Sequence, residues 1–227
     1  MPVQFIATLR ERAVLIISFL CLLTIASIIA ACGGGGDTSG TAATTDTSGT
    51  ALSSLTVSGV AATGSPLVGQ VTLRDSSSPR RDKVTVIAGD GSFAIDVANM
   101  RPPFLLKATG TSNGVRHTLF SFADQPGTAN INPLTSAALA NAGGVDDPAV
   151  LFDNPDDATV EKIRSRMQVA VANLQTKIMP LLDLFGAGSR DPLKHSFVAD
   201  HDGLDGMFDN VRIVLSGGIL TITNVTT

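Results

Sequence analysis

Few side chains in this 227-residue chain are suited to chemistry, and they are scattered. There are two thiols (Cys21 and Cys32), three imidazoles (His117, His195 and His201), and only two glutamates, Glu11 and Glu161. One acidic group is Asp200, Asp202, Asp205 and Asp209, interleaved with Gly203 and Gly206. An EF-type calcium loop needs acids at its first, third and fifth positions, Gly at the sixth and Glu at the twelfth. Counted from Asp200, the fifth is Leu204, the sixth Asp205 and the twelfth Val211, so that spacing fails. Two readings stay open. One is an irregular, weak cation site on Asp200, Asp202 and Asp205. The other is an acidic helix start, with Asp202 as the cap and Leu204, Met207 and Phe208 turned to the core.

The remaining motifs point away from catalysis. Gly110-Thr111-Ser112-Asn113-Gly114 has the letters of a nucleophile elbow, which requires a strand before it and a helix after it. Val115 to Phe120 comes next and reads as a strand, so Ser112 is expected in a hairpin and not as a nucleophile. His195 and His201 are six apart, which is not the spacing of two metal ligands on one helix face. A two-carboxylate hydrolase would have to work with Asp alone. Gly33 to Gly36 precedes no strand–helix unit and so cradles no phosphate. The chain is therefore expected not to be an enzyme, and to carry no cofactor.

The thiol of Cys32 ends a different kind of segment. Arg10 and Arg12 precede an apolar run from Ala13 to Ala31, the order of a secretory signal. A run of that length also fits a membrane span, and the residues at its end decide between the two. Ile29-Ala30-Ala31-Cys32 resembles the lipobox of bacterial lipoproteins. The resemblance implies that the Cys32 thiol is acylated, that residues 1–31 are cut away, and that the new amino group is acylated in turn. Several acyl chains together anchor firmly, at about 0.8 kcal/mol per buried CH₂. Cys21 would leave with the signal, so no disulfide could form in the mature chain. Gly33 stands where enterobacterial lipoproteins retained at the inner membrane carry Asp. By that resemblance the outer membrane is expected, at its periplasmic face or the cell surface.

Residues 32–54 are the acylated Cys and a linker of Gly, Ser, Thr, Ala, Asp and one Leu, with a root-mean-square span of roughly 25 Å. From Leu55 the pattern changes to period two. Strands are expected near 55–60, 68–73, 83–88, 92–97, 104–109 and 115–122, with turns at Gly64-Ser65-Pro66 and Asp90-Gly91. Residues 55–130 should thus form a small antiparallel β-sandwich. Residues 131–227 read as a helical region. Asn132-Pro133 opens a short helix closed by Gly143-Gly144. Val160, Ile163, Met167, Val171, Leu174, Ile178 and Leu181 form the apolar stripe of a long helix over about 158–184, which Pro180 should kink or end. Val211–Leu215 and Ile219–Thr223 read as a C-terminal hairpin.

LTVSGVAATGSPLVGQVTLRD and GDGSFAIDV resemble the carboxypeptidase regulatory-like domains, transthyretin-type sandwiches, over about Leu55 to Thr109. SSSPRRDKVTVIA departs from the Thr-rich run usual before the Asp-Gly turn. The resemblance implies a non-catalytic module and no active-site residue.

Composition bounds the partners. The formal charge is −4, aromatics are 4% of residues, and there is no Trp or Tyr. Such a chain lacks the basic patch that nucleic acid requires. The expected function is that of a lipid-anchored envelope protein, a binding or scaffold module for an unidentified envelope protein or glycan. The alternative is a metal-dependent or hydrolytic lipoprotein using the Asp cluster at 200–209.

Overall fold

The computed structural model describes residues 55–216 and 219–225, all within one compact unit, Thr50–Thr227. The signal segment, Cys32 and the linker lie outside the described residues. The fold mixes sheet and helix. Seven strands make two facing sheets, four helices come after them, and a hairpin closes the chain.

The first sheet runs in the order β4 (Ser92–Asp96), β1 (Thr56–Val60), β7 (Gly127–Thr128). The second runs β3 (Asp82–Val86), β2 (Val68–Arg74), β5 (Phe104–Ser112), β6 (Val115–Ala123). Six of these strands fall close to the period-two segments. All named pairs in the two sheets are antiparallel, as expected, except β1–β7, a two-residue parallel contact. Period two gives each long strand one face toward each neighbour. Val57, Val71, Leu73, Phe93, Ile95, Leu106 and Ala108 fill the space between the sheets. The other face of β5 and β6, with Leu105, Phe120 and Phe122, packs under the helices as a second core.

Helix α1 (Pro133–Gly143) begins in a capping box. The Asn132 side chain accepts from the Thr135 amide at 3.0 Å, and the Thr135 hydroxyl accepts from the Asn132 amide at 2.9 Å. It ends at Gly144, in the left-handed region at φ 73°. Gly143 is fixed by space, since a Cβ there would lie 2.5 Å from Leu151. A short helix α2 (Ala149–Asp153) comes next, which the sequence pattern does not announce.

Helix α3 (Asp157–Leu184) is capped by Asp156, whose carboxylate accepts from the Thr159 amide. Its stripe is buried from Val160 to Ile178; beyond it Leu182 is buried, whereas Leu181, expected at the end of the stripe, is only partly so. Pro180 does not end the helix, which continues to Leu184. The proline sits on the exposed side, while Ile178 and Leu182 hold the helix to the core on either side of the missing amide. Helix α4 (Gly203–Asn210) runs directly into β8 (Val211–Ser216), which pairs with β9 (Ile219–Asn224) as the expected hairpin. No helix among the described residues is long and apolar enough to cross a membrane.

Candidate functional site

Among the described residues, a cleft of about 620 Å³ lies between β6, α1 and β8. That volume lies within the range of about 300–1,000 Å³ usual for ligand pockets. One wall is β6, joined to β5 by Asn113-Gly114, both at positive φ as a tight hairpin turn requires. Pro133, Ala137 and Ala140 of α1 also line it, together with Ile213 of β8.

Strand parity decides what β6 offers to the cleft. A two-residue turn makes Ser112 and Val115 a bonded pair, so Val115, His117 and Leu119 direct their main-chain groups at β5. Arg116, Thr118 and Phe120 turn theirs outward. Phe120 bears this out: its amide donates to the Ser136 hydroxyl at 2.8 Å, and its carbonyl accepts from the Thr135 hydroxyl at 2.8 Å. The outward groups of Arg116 and Thr118 have no hydrogen-bond partner among the described residues.

Two cations sit by the cleft. Arg116 and Arg212 both line it, as do the carboxylates Asp146, Asp147 and Asp209. Burial and then the charge of Arg212 hold His117 below its ordinary pKa. Residues of both β6 and β8 line the cleft. The two strands nevertheless belong to different sheets.

Of the acidic residues singled out in the sequence, Asp205 and Asp209 are spent on structure. Asp205 is fully buried, and its carboxylate accepts from the Gly64 amide at 3.1 Å and the His201 amide at 3.0 Å. Burial pushes its pKa up despite those bonds. Asp209 lies 2.8 Å from His201 Nδ1, and this bond raises the histidine's pKa. Gly64, at φ 86°, has no room for a Cβ against Asp209. Together these contacts fasten α4 to the β1–β2 loop. Asp200 accepts from the Asp202 amide at 3.2 Å. Asp202 occupies the cap position of α4 without a side-chain bond, so the capping role expected of it is not filled by its carboxylate. Met207 and Phe208 are buried and Leu204 is partly so, as the helix-start reading requires. Among the described residues, no group of three or more His, Cys, Asp or Glu side chains is placed to hold a metal ion.

Ser112 ends β5 in the core, donating to the Ser65 carbonyl at 3.2 Å. His195 is held through its backbone carbonyl, which accepts from the Asn130 side chain at 2.6 Å. His195 lines a smaller hollow of about 250 Å³ with Asp191, Asp200 and Asp202, while His201 is engaged with Asp209. Sequence reasoning named His117 but missed Arg116, Thr118 and Arg212 as neighbours around one cleft. The Asn-Gly turn was the available signal for the open β6 edge. Nothing in the pattern says that α1 and β8 come to flank it.

Comparison with known proteins finds no matching family, no matching curated protein and no matching solved structure.

Proposed function

We propose that this chain is a bacterial envelope lipoprotein, anchored by acyl groups on Cys32, whose residues 55–227 form a non-catalytic binding module. Residues 33–54 act as the tether that carries the module clear of the lipid headgroups. The observation that carries the binding role is the cleft at β6, α1 and β8, with open main-chain groups at its edge among the described residues. The side chains best suited to chemistry, Asp205, Asp209, His201 and Ser112, are engaged in internal hydrogen bonds, which favours binding over catalysis.

A protein partner suits this surface better than a glycan. Sugar rings stack on exposed aromatics, and no Phe is exposed among the described residues of a chain without Trp or Tyr. The outer membrane is the proposed destination, on the strength of Gly33 after the Cys. Residues 55–130 serve as the carboxypeptidase regulatory-like part of the module.

The test is Cys32→Ser in the full-length chain expressed in a Gram-negative host. The wild type should pellet with membranes after high-salt and carbonate washes. The variant should lose that association and keep the same melting transition. A variant that still resists carbonate would mean that Ala13–Ala31 is a retained span and that the lipid anchor is wrong.

A further inference from the structure

We infer that the cleft takes an extended polypeptide segment, which adds as a strand to the outward edge of β6 with β8 on its far side. The inference rests on the binding-module reading and names its partner chemistry. The amides and carbonyls of Arg116 and Thr118 face outward without partners among the described residues. Strand β8 has the same property at Ile213. Its ladder closes at Ser216–Ile219, and the Val225 amide donates to the Asn210 carbonyl at 3.0 Å, so the even-numbered residues of β8 bond to β9. Ile213 therefore turns its main chain away from β9, and it lines the same cleft.

A strand edge presents alternating donors and acceptors at a repeat of about 6.7 Å, two residues of rise. Another extended backbone matches that row along its length, and such addition gives affinity through main-chain bonds and specificity through alternate side chains. Phe120 shows how the edge is closed where closure is wanted: Ser136 and Thr135 of α1 take its amide and carbonyl. The open stretch thus ends at α1 on one side and at the Asn113-Gly114 turn on the other, a length of about five residues or 17 Å. Walls on both sides admit one segment more readily than the sheet of a second copy. The lining carries both signs, Arg116 and Arg212 with Asp146, Asp147 and Asp209, so the main-chain edge and not net charge selects the segment.

The test selects a phage-displayed library of random dodecapeptides on the full-length chain in detergent micelles, then tracks amide hydrogen exchange with the selected peptide bound. The enriched peptides should alternate apolar and polar residues. Exchange at Arg116, Thr118 and Ile213 should slow by about tenfold or more. Thr118→Pro removes one outward donor and no β5 ladder bond, and should abolish binding with the melting midpoint retained. Should that variant unfold, exchange in the wild type decides alone. Bound peptide that leaves these three amides unprotected, or protects β3 or α3 instead, overturns strand addition and leaves the binding module standing. Protection arising from self-association assigns the edge to a second copy and overturns it too. A library that enriches nothing counts against both readings.

Discussion

At the scale of single residues, Asp205 illustrates how an apparent site becomes a structural joint. It is a carboxylate with no exposed surface whose oxygens serve two main-chain amides from separate segments, Gly64 and His201. Replacing it by Asn puts an amide donor where one acceptor stood, so one buried N–H loses its partner. That should cost about 1–3 kcal/mol. Asp205→Asn is therefore expected to lower the thermal midpoint, read by circular dichroism, whereas Asp200→Asn, at an exposed position, should leave it nearly unchanged. Equal melting of the two variants would remove Asp205 from its role as the joint. The sequence showed four aspartates within ten residues but not which one was buried. Asp205's acceptors are satisfied by residues 141 positions away and four positions away, and only the nearer is visible in a local pattern.

At the scale of elements, the strands and long helices were legible because burial imposes a period. Val57, Val71, Leu73 and Ile95 alternate into one core, and Val160 to Ile178 step by three and four into the other. What escaped is short or depends on distant partners. Helix α2 has five residues, of which only Leu151 and Phe152 are buried, and Arg74 and Lys107 stack on the Phe152 ring from other elements. Strand β7 has two residues and is defined by its contact with β1. Pro180 was misleading because a proline on the solvent side removes one bond without disturbing the packed face. The α3 stripe yields a sharper expectation. Leu174 is 8% exposed within the helical core. Leu174→Asp would bury a charge without a partner, at a cost of several kcal/mol against a typical margin of about 5–15 kcal/mol. The variant should lose its cooperative melt, and an unchanged midpoint would mean that the stripe is an interface and not core.

At the scale of the whole molecule, the described unit consists of one sheet clad on both faces in part, by a second sheet and by helices. That arrangement leaves β6 with one ladder filled and the other open beside β8, which is where a bound segment would lie. The candidate cleft was not legible in advance, since it exists only where residues 115–118, 133–140 and 211–214 meet. The proposed anchor, by contrast, rests wholly on sequence, in Ile29-Ala30-Ala31-Cys32 and the linker after them. The proposed function depends on that anchor. The most direct measurement is mass spectrometry of the N-terminal peptide from the chain extracted from its host's membranes. The expected peptide begins at Cys32 and is heavier than its sequence by the mass of diacylglycerol and an amide-linked acyl chain. A peptide that still includes Ala30 and Ala31, with an unmodified Cys32, would contradict lipid anchoring.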